Sequence, residues 1–170
     1  MTTDNARLAF RLLGLADAPL TPRAMAVLKA RYPQIGLHIR PGLTGTLLAE
    51  IERGNLDAAI VSKPHLMQAG LAFRELTQEP LQLIASPADT EDDPIALLKA
   101  RPYIRFNRNA VLGTIIDNWL SSRRIRVAEA MELDSPEAIA SMVHANLGVS
   151  IVPDLAVKPN ELIPVKRISL

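Results

Sequence analysis

Residues 31–64, RYPQIGLHIRPGLTGTLLAEIERGNLDAAIVSKP, spell a strand, a helix and a strand with their punctuation in place, and a parallel α/β sheet accommodates that order best. Ile35, Leu37 and Ile39 alternate with Gly36, His38 and Arg40, the period of a strand with one buried face, and Pro41 with Gly42 breaks it. A helix follows: Thr44 or Thr46 is its expected cap, Leu47, Leu48 and Ile51 its apolar stripe, and Gly54 with Asn55 its left-handed stop. Residues 56–61, apolar except for Asp57, predict a strand covered on both sides. Two parallel strands joined by a helix put the turn Thr44, Gly45, Thr46 at the carboxyl edge of the sheet, where open α/β folds bind small molecules.

The remaining pattern extends this order in both directions. Residues 8–15 predict a first strand and residues 17–20 a short loop; Thr21 and Pro22 mark a helix start that runs to Tyr32. That helix carries Ala24, Met25, Ala26, Val27, Leu28 and Ala30, which leaves little polar face, so it is buried either by its own chain or by a second subunit. Strands are expected at 71–76 and 81–85, and the chain changes character at Pro87. The acidic stretch 88–94 is expected to cap a helix over 95–100; it is too short in ordered oxygen ligands for a hard-cation loop. A strand at 103–106, a helix over 111–123 with Leu112, Ile115, Ile116, Trp119 and Leu120 inward, and a strand at 127–133 follow. Asp134, Ser135, Pro136 and Glu137 open a helix that turns Ile139, Met142 and Val143 to the core and stops near Asn146. Residues 148–152 and 162–168 are the last strand candidates. Strands and helices alternate once before Pro87 and once after it, which predicts two α/β lobes with a ligand cleft between them.

Composition narrows the function. At 170 residues the chain has enough interior for a stable core, and its 48% hydrophobic and 22% charged content is ordinary globular usage. A net charge of +1, from 19 basic and 18 acidic residues, gives no footprint for nucleic acid. The cluster Arg123, Arg124, Arg126 suits a helix carboxyl end. Without cysteine there is no thiol chemistry, and no paired metal-ligand spacing, phosphate loop or nucleophile elbow accompanies His38, His65 and His144. No catalytic residue, metal or cofactor is therefore expected, and the chain is read as no enzyme. The start MTTDNARLAF lacks a secretory pattern, and no apolar run reaches the ~18 residues of a membrane span, so a cytoplasmic location is expected.

Three segments together resemble the effector-binding domain of LysR-type transcriptional regulators. Tyr32-Pro33 through Asp57 keeps a tyrosine-proline pair, an alternating strand, a glycine-threonine turn and a Gly-x-Leu-Asp ending; residues 133–142 open a helix on an acidic, serine-capped turn; residues 143–153 give a helix-glycine-strand-proline ending. The resemblance implies two Rossmann-like lobes of the periplasmic-binding-protein-like (type 2) fold, with lobe I at 1–85, lobe II at 86–153 and a return to lobe I over 154–170. It implies a small metabolite bound in the cleft, altering how a whole regulator sits on its promoter. It implies dimers or higher assemblies through Met25, Leu28, Lys29, Tyr32, Leu37 and Ile39. The family's helix-turn-helix has no counterpart here, so DNA is expected to be met only through an absent amino-terminal domain. The family pattern also continues past Leu170, Asn146 replaces a common glycine, and the loop opened by Asp17 and Ala18 is short. The effector residues expected are Asp17, Ala18, Thr44, Gly45, Thr46, Ser62, Arg105, Asn107 and Ser135. Four helix starts, at Thr21, Thr46, Asn109 and Ser135, bring free amides to the sheet edges, which favours a carboxylate or other anionic group. Arg105 aims either at the cleft or at solvent. Asp17 would repel an anion, which leaves an amine-bearing or neutral effector open. A solute-binding protein of a transport system is the alternative with the same fold.

Overall fold

A computed structural model describes residues 9–12, 17–36, 38–39, 42–63, 69–154 and 163–170, with the side chains of 9–12, 17–22, 38 and 39 left aside. Leu37 and His65 lie outside the described residues. The chain groups into two compact units, divided between Glu75 and Leu76, with residues 163–170 belonging to the second.

The first unit is built on three parallel strands, β1 (Ala9–Leu12), β2 (His38–Ile39) and β3 (Ala58–Ile60), in the order β2-β1-β3. Helix α1 (Asp17–Arg31) joins β1 to β2 and α2 (Thr44–Glu52) joins β2 to β3. Both helices therefore start from the carboxyl ends of parallel strands, at one edge of the sheet. Leu47 and Leu56 form the small core, with Ile51, Ala59 and Val61 packed against them. The helix α2 ends as expected: Gly54 takes φ +72, its N–H donates to Ile51 O, and the Asn55 N–H donates to Glu50 O, the paired bonds of a Schellman stop.

Several expectations for this unit need correction. Residues 17–20 are helix rather than loop, so Thr21 lies inside α1 and not at its start; Pro19 falls in the first turn, where no intrahelical N–H is lost. Leu43, not Thr44 or Thr46, is the N-cap of α2, and it has no side chain able to accept from the helix amides. The strand at β3 is half-buried rather than covered on both sides. Residues 71–76 are irregular, with mostly exposed side chains that give a strand no face to bury.

The second unit has β4 (Leu81–Ala85) between β7 (Ser150–Pro153) and β8 (Lys166–Ser169), antiparallel to both. A parallel bridge between Tyr103 and Val149 carries the hydrogen bonding on to β5 (Pro102–Phe106), which pairs in parallel with β6 (Ala128–Leu133). The expected division put residues 81–85 and 154–170 in the first lobe. Instead β4 and β8 pair with each other inside the second unit, each satisfying the other's backbone donors and acceptors. Every residue of β7 is buried, and Leu83, Ile84, Leu98, Ile104, Ile139, Val143, Val149 and Ile151 form the core.

Three helices cover this sheet. Asp93 caps α3 (Pro94–Ala100) by accepting from the Ile95 N–H at 2.9 Å, as the acidic stretch predicted, and Lys166 Nζ ties that stretch to β8 through Asp92 Oδ1 at 2.7 Å and Glu91 O at 2.6 Å. Helix α4 (Val111–Ser122) buries Leu112, Ile116 and Leu120, and its N-cap is Ala110 rather than Asn109. Gly113 admits the close approach of α4 to the preceding loop, since a Cβ there would stand 2.1 Å from Asn107 O. Helix α5 (Pro136–His144) ends on Asn146 at φ +62, with the Asn146 and Leu147 N–H groups donating to Val143 O and Met142 O. Asparagine thus does the work that glycine does in α2.

Candidate functional site

In the first unit, Asp17, Ala18, Thr44, Gly45, Thr46 and Ser62 all fall just beyond the carboxyl ends of the three parallel strands. The first intrahelical bond of α2 runs from the Leu47 N–H to Leu43 O at 3.0 Å, so the amides of residues 44–46 precede the ladder. No acidic side chain stands in that first turn and no side chain caps it. Thr44 is only 3% exposed, and its Oγ1 has no hydrogen-bond partner among the described residues. A buried hydroxyl left so costs about 1–3 kcal/mol, a penalty that a ligand able to bond it would remove. Gly45 and Thr46 are exposed, and a Cβ at Gly45 would meet nothing within 4 Å. Together these groups supply up to three N–H donors, one hydroxyl and the positive end of a helix, chemistry that suits a carboxylate or another small anion. Ser62 is half-buried, just past β3.

In the second unit the expected residues are already engaged. Asn107, just past β5, donates from Nδ2 to Asp134 Oδ1 at 2.6 Å and accepts the Asn109 N–H on Oδ1 at 2.8 Å. Ser135 caps α5, accepting from the Ala138 N–H at 3.2 Å while its hydroxyl donates to Glu137 Oε2 at 2.7 Å. Arg105 is held inside the second unit: it is 6% exposed and paired with Asp117 of α4 and, at 2.7 Å, with Glu129 of β6. A buried guanidinium needs such partners, which is why the strand reading of residues 104–106 alone could not place it.

Pattern reading missed the partners themselves. Arg108 pairs with Glu129 and Glu132, and the Arg108 N–H also donates to Glu132 Oε1 at 3.0 Å. That backbone bond and the guanidinium hold the Glu132 carboxyl below the usual carboxylate range, and the carboxylate in turn raises the Arg108 guanidinium. Burial pushes the Tyr103 phenol, on the same face of β5 as Arg105, well above its usual value.

On the α1 side of the first unit, Met25 and Leu28 are half-buried, Val27 is 65% and Tyr32 49% exposed, and Lys29 Nζ donates to Ile35 O at 2.8 Å. His144 is exposed, with Nδ1 2.7 Å from Pro164 O. Among the described residues no cluster of His, Cys, Asp and Glu could hold a metal ion, and no helix is long and apolar enough to cross a membrane.

Known proteins place this geometry in a family. The chain is 27% identical over 138 residues to the HTH-type transcriptional regulator CzcR of Bacillus subtilis (strain 168), a match covering 81% of this chain and 46% of that protein. It is 28% identical over 174 residues to a probable RuBisCO transcriptional regulator of Thalassiosira pseudonana, covering 90% of this chain and 55% of that one. The chain thus spans about half the length of these relatives. Among solved structures, the effector binding domain of QuiR in complex with shikimate superposes with a TM-score of 0.77 at 18% identity, covering 98% of this chain and 81% of that one. The Synechocystis PCC6803 CcmR regulatory domain in complex with 2-PG gives 0.80 at 19% identity, covering 95% and 79%. Such likeness establishes the periplasmic-binding-protein-like α/β fold. Residues 4–166 match the family described as the LysR substrate binding domain, and the chain belongs to that family.

Proposed function

We propose that this chain is the effector-sensing domain of a LysR-type transcriptional regulator, and that it binds a small molecule through an anionic group at the first turn of α2. The observation that carries the reading is the buried Thr44 Oγ1, without a partner among the described residues, at the foot of an uncapped helix. Gly45 and Thr46 add backbone donors, while Asp17, Ala18 and Ser62 border the same sheet edge. In the second unit, Ser135 and Asn107 offer groups that must give up or share an internal bond to meet ligand. Arg105 is withdrawn from the proposed contacts, because its terminal nitrogens serve Asp117 and Glu129.

The family membership and the regulators among its relatives favour sensing over solute transport, which the same fold could also serve. No catalytic residue, metal or cofactor is assigned. DNA is contacted through a domain outside this chain, in the cytoplasm, and a second copy of the chain covers α1 and β2 around Met25, Leu28, Lys29, Tyr32, Leu37 and Ile39; the exposure of Val27 and Tyr32 supports that face.

The test is a thermal-shift titration with a panel of small carboxylates and phosphates that includes shikimate and 2-PG. A ligand at a hundredfold excess over its Kd stabilises by about 2.7 kcal/mol. Stabilisation by one panel member, abolished in Thr44→Val, supports the reading. Binding that persists unchanged in Thr44→Val defeats the proposed contact.

A further inference from the structure

Strand β6 spends one residue more than β5 over the length they share. Tyr103 stands beside Glu129 but Ile104 beside Met131, so Ala130 is the extra residue of a bulge. Residues three apart on a regular strand point to opposite faces. The bulge cancels that, and Glu129 and Glu132 come to the same face as Tyr103 and Arg105, their partners in the register. Two arginines close on them: Arg105 Nη1 donates to Glu129 Oε1 at 2.7 Å, Arg108 Nε to Glu132 Oε2 at 3.0 Å, and Arg108 Nη2 to Glu129 Oε2. In a flush register Glu132 would instead lie beside Phe106, on the face of Ile104 and Phe106, both buried, where an unpaired carboxylate is costly.

The register has a consequence downstream. Phe106 pairs with Leu133, the Asn107 N–H donates to Leu133 O at 3.0 Å, Asn107 Nδ2 holds Asp134, and Ser135 then caps α5. A slip of one residue would carry this whole turn along β5 by about 3.3 Å, more than a hydrogen bond tolerates.

We propose that Arg105 and Arg108 are positioning residues, whose ladder to Glu129 and Glu132 holds the β6 bulge and thereby fixes where Ser135 and the first turn of α5 stand beside Asn107. The functional consequence rests on reading Ser135 as an effector contact; the register itself does not. Neither arginine touches the ligand in this account.

The experiment uses the whole 170-residue chain without ligand, followed by amide exchange and backbone NMR in wild type, Arg108→Ala and Glu132→Gln. Arg108 and Glu132 are exposed, so both variants retain the core. The expected result is exchange at least tenfold faster at Asn107 and Ala138, or a second set of resonances over 131–138, with β4 and β7 protected as in wild type and Arg108→Lys partly restoring the original pattern. Wild-type shifts and exchange at Asn107 and Ala138 in both variants would overturn the proposal. So would an equal loss of protection throughout the unit, which is what a merely structural role predicts. Because no ligand is present, a negative carboxylate titration would refute the effector reading without touching this result.

Discussion

Two helix starts, one in each unit, carry a hydroxyl, and the two hydroxyls have opposite fates. Ser135 in α5 is spent internally: it takes the Ala138 amide and gives its proton to Glu137. Thr44 in α2 is buried without a partner among the described residues, below a turn whose N-cap is a leucine with nothing to offer the helix amides. A hydroxyl engaged in a cap stabilises the folded chain, whereas one buried and unpaired destabilises it. A ligand able to bond Thr44 would remove that penalty. A satisfied group must give up or share an internal bond to meet a ligand, whereas an unsatisfied one gains by meeting it.

The glycines sharpen the same contrast and give the largest expected effect. Gly113→Ala drives a Cβ into the Asn107 carbonyl, and chemical denaturation should show a loss of about 2–3 kcal/mol or more, since backbone cannot yield as a side-chain tip does. Gly45→Ala, in the first turn of α2, meets open space, and the same measurement should show no loss and a gain of up to about 1 kcal/mol from helix propensity. If the two variants were equally destabilised, the distinction between a packed turn and an open one would fail.

Ser135→Ala comes next. Loss of the cap should cost about 1 kcal/mol in equilibrium unfolding, with the amide of Ala138 losing protection first. An unchanged midpoint would mean that the Ser135 hydroxyl is not committed to α5 and would erase its contrast with Thr44.

The smallest effect is on pH. Glu132 titrates below the ordinary carboxylate range when folded, so its contribution to stability is complete above the unfolded value and is lost as pH falls through the folded one. Glu132→Gln should therefore lower the neutral plateau slightly, flatten the fall on the acid side, and leave stability below the folded value nearly unchanged. NMR titration of Glu132 at or above the usual range would contradict the observed Arg108 contacts.

Element order was readable because apolar periodicity and punctuation agree in this chain. Asp93 and Ser135 ahead of prolines, and Gly54 and Asn146 as left-handed stops, are local signals, and local geometry realises them; the alternation over residues 35–39 is met by strand only at His38–Ile39 among the described residues. What local pattern could not supply was any outcome fixed by distant partners. Thr44 and Thr46 look like caps, but the chain turns one residue earlier, at Leu43. Residues 17–20 look like a loop because of Asp17 and Pro19, yet both are also acceptable in a first helical turn. Arg105 has no neighbour in sequence that announces Asp117 or Glu129, and the glutamates of AEAMEL, three apart, seem to face opposite ways until the bulge at Ala130 is known. The sheet partner of residues 166–169 was equally hidden, because an antiparallel pairing with residues 82–85 leaves no trace in either strand's own composition.

The most direct test of the account is Thr44→Val, measured for stability and for binding on one sample. The substitution keeps the side-chain volume and removes only a buried hydroxyl without a partner among the described residues, so the ligand-free chain should be as stable as wild type or more stable by up to about 1 kcal/mol. The panel carboxylate or phosphate that stabilises wild type should then bind at least tenfold more weakly. A variant that is clearly destabilised and still binds with wild-type affinity would contradict the claim that Thr44 is kept unpaired for a ligand.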